Sequence, residues 1–263
     1  MRSLALAVLG VLGGCSFTPA GSPGNGVDAG GVGNIFDAGS GVTPIQPPGG
    51  SPPPCSVSDP SLTLCLDFEG SVSPTAVDSS PDHRDAATLG VTPVARGGEQ
   101  AIAVTAQSAI GIPGNGSAIM SVPISIEMFA MTTKLPAKHS TFVDSELFSI
   151  TLYPDGSISC DLDDSASGGT LAVGAWTHLA CTFDGHALRA YVNGDVVGCQ
   201  NDTSVGGPLS EDSGLMALGN ELIGDRPLTG GLDDVHVYAE LLSDAAVCSR
   251  AGRTGCNTKC PSN

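Results

Sequence analysis

Residues 176–199, WTHLACTFDGHALRAYVNGDVVGC, constrain the fold more than any other stretch. Leu179, Cys181 and Phe183 fall on one face of an extended segment, and Leu188, Ala190 and Val192 on one face of the next. That period of two is what a half-buried strand requires. Asp184-Gly185 and Asn193-Gly194 lie between the apolar runs. Both dipeptides accept positive φ, and the two-residue primed turns they favour match the twist of the strands they join. The stretch therefore reads as three antiparallel strands linked by two tight turns.

Similar runs predict further strands over 62–68, 88–94, 101–105, 118–122, 124–133, 141–143, 147–153, 157–162, 215–218 and 232–238. Turn residues such as Pro154-Asp155-Gly156 separate them at short intervals, which is the spacing of a sandwich rather than of βαβ units. One helix is expected. Ser243 has N-cap character ahead of Asp244, Ala245, Ala246 and Val247, and Gly252 follows Arg250 as a stop.

The 176–199 motif, with its W-x-H, T-x-D-G and L-R-x-Y-V-N-G elements, resembles the central motif of laminin G-like, concanavalin A-like domains. More of that pattern follows in order: LDFEG at 66–70, the polar loop from Asp78 to Asp85, and LDDVHVYAELL at 232–242. The resemblance covers roughly residues 55–250. It implies an all-β, two-sheet antiparallel jelly-roll sandwich with a short C-terminal helix. Function is less specified, because the family includes lectins, adhesion modules and inert spacers.

The amino terminus reads as an address rather than as structure. Arg2 precedes the apolar run 4–12, which is too short to span a bilayer stably, and Leu12-Gly13-Gly14-Cys15 ends it. This resembles a bacterial lipobox. Residues 1–14 would be removed and Cys15 would carry the lipid, with an ordinary secretory signal as the alternative. Ser16 after the cysteine implies, in the Gram-negative lipoproteins it resembles, export to the outer membrane. From 16 to 54 there are ten glycines and eight prolines, with Asp28 and Asp37 the only charges. Too little apolar surface is present to offset the entropy of ordering, so residues 15–54 read as a lipidated tether. Residues 55–263 then form one domain.

The formal net charge is −17. Such a chain repels phosphate backbones, which excludes nucleic acid as a partner by the ordinary basic-patch route. Beyond Cys15 eight cysteines remain: Cys55, Cys65, Cys160, Cys181, Cys199, Cys248, Cys256 and Cys260. An even number in an exported chain reads as disulfides. Zinc is the alternative, but Cys256 and Cys260 lack a second close pair or histidines at ligand spacing. The expected pairs are Cys55 with Cys65 and Cys160 with Cys181 across adjacent strands, with the tail pinned through Cys248, Cys256 and Cys260.

No catalytic residue is expected. The carboxylate strand of glucan-cutting jelly rolls, E-x-D-x-E or E-x-D-x-x-E, is absent, and none of the five histidines lies in H-E-x-x-H. His178 is expected to be a strand residue with a structural hydrogen bond. The resemblance also implies a structural calcium between the first and last strands. Asp233 would give a carboxylate oxygen and Glu69 and Gly70 main-chain carbonyls, with Asp67 a further candidate; the alternative is that Asp233 caps a loop. Trp176 belongs to the family motif, and Tyr153, Tyr191 and Tyr238 are assigned to strand packing. The polar loops 78–85 and 201–213 remain for a ligand. The expectation is a membrane-anchored, non-catalytic recognition module for a glycan or an extracellular protein. The alternatives are a structural spacer lipoprotein and a glycoside hydrolase-like enzyme.

Overall fold

The computed structural model describes residues 55, 58–113, 122–145, 147–201, 216–221 and 226–262. The expected leader, lipidated Cys15 and tether, and all but Val122 of the strand expected at 118–122, lie outside them. In chain order the strands are β1 (Leu62–Leu66), β2 (Thr75–Ala76), β3 (Ala86–Leu89), β4 (Thr92–Arg96), β5 (Glu99–Val104), β6 (Ala109–Ile112), β7 (Ile124–Thr132) and β8 (Ser140–Asp144). They continue as β9 (Ser149–Leu152), β10 (Ile158–Asp161), β11 (Ser165–Gly168), β12 (Thr177–Phe183), β13 (Leu188–Val192), β14 (Asp195–Gln200), β15 (Met216–Leu218) and β16 (Gly230–Tyr238), and helix α1 is Asp244–Arg250.

These strands form two antiparallel sheets. The first has the order β14-β13-β12-β7-β16-β5-β4, with β1 also paired to β16; the second is β11-β10-β9-β8-β15-β6-β3-β2. The main core lies between them and contains Leu64, Ile126, Met128, Leu179 and Val237 from the first sheet and Phe142, Ile150, Ile158 and Ala166 from the second.

The central motif folds largely as its alternation requires. Asn193 and Gly194 have φ of 49° and 82° and join β13 to β14 directly, as a primed two-residue turn does. The other turn is longer than expected. Residues 184–187 form the loop, and Asp184 Oδ1 accepts from the amides of His186 (2.8 Å) and Ala187 (2.7 Å). The strand expected at 88–94 is in fact two, because Gly90 at φ 65° breaks it. Short strands β2, β6 and β11 carried too little alternation to be anticipated.

All four disulfides involve the expected cysteines: Cys55–Cys65, Cys160–Cys181, Cys199–Cys260 and Cys248–Cys256. One detail differs. Cys160 lies in β10 and Cys181 in β12, so this bond crosses between the sheets instead of linking adjacent strands. Both side chains point into the core, where opposite sheets are the nearest neighbours.

Helix α1 closes the outer face of the first sheet. Ser243 Oγ accepts from the Ala246 amide at 3.2 Å, as an N-cap should. Leu242 and Val247 pack with Leu62, Cys65, Ala180, Tyr191 and Tyr238 in a second apolar cluster. The opposite arrangement holds at the β11/β14 edge, where the sheets touch through backbone. A Cβ on Gly198 would sit 2.7 Å from Ser167 N and O. Gly198→Ala is therefore expected to cost about 1–3 kcal/mol through forced separation of that edge, measured by urea denaturation; unchanged stability would show the edge opens without strain.

Candidate functional site

Strand alternation gives the two outer faces opposite characters. On the first sheet the outward side chains are large and buried. Glu127 in β7 is fully buried, and it accepts from His178 Nε2 (3.3 Å, β12), His236 Nδ1 (3.4 Å, β16), Tyr238 Oη (3.1 Å) and Arg250 Nη1 (2.6 Å, α1). His178 Nδ1 has no partner, so the tautomer with hydrogen on Nε2 leaves no N–H unpaired. Burial alone would raise the Glu127 carboxyl; hydrogen bonds from His178 and His236 outweigh it and hold it well below its usual range. The expected structural role of His178 is thus met by Glu127, the lone acid of a mainly apolar strand. Its partners were not readable because Arg250 lies far along the chain. Phe129 continues the layer, edge-on to His178 at 5.2 Å and beneath the Arg96 guanidinium at 4.1 Å.

Because the folded carboxyl is depressed, Glu127 stabilises the fold fully above its unfolded value near 4.3 and loses that contribution as pH falls through its folded value. Glu127→Gln leaves Arg250 without a counter-charge. The variant is expected to lose about 3–5 kcal/mol at neutral pH and to show a flatter dependence of stability on pH below about 4 than the parent, both read from denaturant midpoints.

The calcium set is only partly brought together. Gln100 Nε2 donates to the Phe68 carbonyl and to the Gly70 carbonyl (2.8 Å), while the Gln100 amide donates to Glu69 Oε1 at 2.9 Å. The converging carbonyls are therefore those of Phe68 and Gly70, not Glu69 and Gly70. Phe68 takes φ 54°, in the left-handed region. Asp67 Oδ1 accepts from the Glu69 amide at 3.3 Å. Asp233 accepts from Arg96 Nε at 2.5 Å, and Arg96 Nη2 also donates to Asp234 and to Glu99 (2.7 Å). Burial first, and then the Asp234 charge, push the Asp233 carboxyl up to about 7 against the pull of Arg96. The Gly70 carbonyl, Asp67 Oδ1 and both Asp233 oxygens already accept hydrogen bonds, and a guanidinium stands against Asp233, so the set does not fit calcium as it stands. Arg96 and Glu99 pair across the Gly97-Gly98 turn, a signal that the R-G-G-E sequence carried unread.

The outer face of the second sheet is different. Ile150, Leu152, Ile158, Cys160 and Ala166 point into the core, so their neighbours Ser149, Thr151, Ser159, Asp161, Ser165 and Ser167 point out. Register aligns one row across the whole sheet: Ser165, Asp161, Ser149, Asp144, Ala217, Gly111, Ala87 and Thr75. No side chain in it is larger than aspartate. At about 4.8 Å per strand the row is roughly 34 Å long. A parallel row runs Thr141, Thr151, Ser159 and Ser167, of which the first three are buried, as is Ala217 in the longer row. Ser159 Oγ donates to Asp161 Oδ1 at 2.6 Å and pairs with Ser167 Oγ at 2.8 Å; Ser149 Oγ donates to Asp161 Oδ2 at 3.4 Å.

Tyr153, assigned from sequence to packing, stands at the rim with 37% of its surface exposed, its ring 6.0 Å from His139. Burial and then the Asp161 charge raise its hydroxyl. Tyr191 and Tyr238 are buried as expected, their hydroxyls donating to Asp244 and Glu127. Trp176 packs over Gly231, where a Cβ would lie 2.6 Å from Cη2. Of the two polar loops, 78–85 is held from within. Buried Asp78 accepts from the amides of Cys65, Ser80 and Arg84 and from Ser80 Oγ. The other lies almost wholly outside the described residues.

The family model of the concanavalin A-like lectin/glucanases superfamily matches residues 97–248. No curated protein matches the chain. Among solved structures, domain 4 of AbnA, a GH43 extracellular arabinanase from Geobacillus stearothermophilus in complex with arabinotriose, superposes with a TM-score of 0.59 at 21% identity. The match covers 73% of this chain and 98% of that one. Trypanosoma rangeli sialidase in complex with the inhibitor DANA gives 0.60 at 13%, over 74% of this chain and 33% of that chain. The binding domain of Paraclostridial Mosquitocidal Protein 1 gives 0.58 at 17%, over 73% and 52%. At these identities the likeness is one of fold.

Proposed function

The chain belongs to the concanavalin A-like lectin/glucanases superfamily, and from that premise we propose that it is a non-catalytic recognition module that lays an extended glycan across its second sheet. The row from Ser165 to Thr75 carries this reading. A polymer lying across the strands needs an unobstructed floor, hydroxyl and carboxylate groups fixed before it arrives, and an apolar surface for a sugar ring. Small side chains keep the row low, with Thr75, Ala87 and Ser165 exposed and Asp144, Ser149 and Asp161 half-buried; buried Ser159 fixes Asp161 and Ser167 from below, and Tyr153 offers the ring surface. The arabinanase domain, solved with arabinotriose, supports a carbohydrate over the other class of ligand, an extracellular protein.

In the same proposal the domain is held outside the cytoplasm by a lipid on Cys15 and a tether over 15–54, with the outer membrane as its address. Cys55, at the start of the domain, is bonded to Cys65 in β1 of the first sheet. A spacer lipoprotein would have no use for a preorganised polar row.

One observation favours glycoside hydrolysis as a second reading. Asp144 and Asp161 both pair with Ser149, on either side of it, which puts their Cα atoms roughly 10 Å apart, compatible with the wide carboxylate spacing of inverting enzymes. Against it, both oxygens of Asp161 accept serine hydroxyls.

A glycan array followed by calorimetric titration tests the proposal. Binding to at least one linear glycan is expected, weakened about tenfold by Tyr153→Ala through lost ring stacking, with the melting temperature unchanged. Silence across the array would refute recognition of carbohydrate. Release of reducing sugar, abolished by Asp144→Asn, would replace it with hydrolysis.

A further inference from the structure

We infer that Arg96 and Gln100 take, with a guanidinium and an amide, the place of a calcium ion between the first and last strands, so that the domain carries its cation covalently and folds without a metal. This stands on the family's architecture and on local geometry, independently of what the second sheet binds.

Two carbonyls that follow β1 meet Gln100 in β5, and three acids meet Arg96 at the neighbouring register position of the β4–β5 hairpin. The Phe68 and Gly70 carbonyls point at a single nitrogen, Gln100 Nε2, and Glu69 Oε1 is taken by the Gln100 amide. Each Arg96 nitrogen named above reaches a carboxylate: Nε to Asp233, and Nη2 to both Asp234 and Glu99. The Arg96 side chain is 7% exposed and Asp233 is 1% exposed, so the pair is screened little by solvent. Phe129 closes the remaining side of the guanidinium.

A calcium ion needs six to eight oxygens at about 2.3–2.6 Å. It cannot share Asp233, Asp234 and Glu99 with a guanidinium within hydrogen-bonding distance of the same oxygens, because the two cations would repel in a poorly hydrated space. The two solutions do the same electrostatic work, joining carboxylates of the last strand to the carbonyls that follow the first. They differ in one respect. Arginine does not lose its charge at physiological pH and does not dissociate, so neither chelator nor dilution removes it.

The test is thermal unfolding of the full chain in chelator and in millimolar calcium chloride, with calorimetric titration of calcium alone. The parent is expected to melt at the same temperature in both and to bind no calcium. Arg96→Ser should lower the melting temperature by about 10 °C in chelator and recover part of that loss in calcium, while the parent does not respond. Gln100→Glu, at a more exposed position, gives a second readout should Arg96→Ser fail to fold. It places a carboxylate against two carbonyls, and calcium should raise its melting temperature by about 5 °C. A parent that binds calcium, or melts earlier in chelator, overturns the inference. So does a Gln100→Glu protein indifferent to calcium, or an Arg96→Ser protein that folds and melts like the parent.

Discussion

The carboxylate of Glu127 sits fully buried in the middle of the first sheet, and much of the molecule is arranged to make that tolerable. An ion there costs several kcal/mol in lost hydration unless charge and hydrogen bonds replace the water. The replacement comes from three elements at once: His178 on β12, His236 and Tyr238 on β16, and Arg250 on α1. All are in position only when β12, β7 and β16 are in register and the helix is docked. The same contacts that neutralise one acid thus lock three strands and the C-terminal helix to each other. Asp244 adds to the docking by accepting from Arg189 and Tyr191 at the helix start.

From that centre the layer runs outward through His178 and Phe129 to Arg96 and the carboxylates it gathers. The outer face of the first sheet is therefore occupied by its own aromatic, acidic and basic groups and covered by the helix. Its opposite is the second sheet, where serine, threonine, aspartate, glycine and alanine share one row. Large groups thus fill one outer face, and small ones, some of them buried, the other. The disulfide between Cys160 and Cys181 and the close backbone contact at Gly198 join the two sheets.

How much of this could be read beforehand depended on whether the information was local. The Asn193-Gly194 turn and the strands beside it follow from neighbours in the chain, and so does the helix after Ser243. The Asp184 loop was misjudged because its geometry is set by side-chain bonds from Asp184 to amides two and three residues on. Gly90 split a strand because a positive φ in a short β run leaves no mark in the hydrophobic pattern. The guanidinium inside the expected calcium set was missed for a comparable reason. The D-x-V-x-V-Y motif places Asp233 correctly, but Arg96, which answers it, lies 137 positions away. The outward row was invisible because a row across a sheet takes one residue from each strand, and register is not written in any one of them.

Amino-acid order alone determined the period-two pattern, the turns, the cysteines available for bonding and the family, since each of these rests on residues close together in the chain or on a motif with fixed spacing. Tertiary structure alone decided that the Cys160 bond crosses the core, that Glu127 has four donors, that Arg96 serves three acids and that the smallest side chains line up on one face. These outcomes depend on which strands become neighbours. That is settled by burial and hydrogen bonding across the whole sandwich, between groups whose separation in sequence carries no trace of their separation in space.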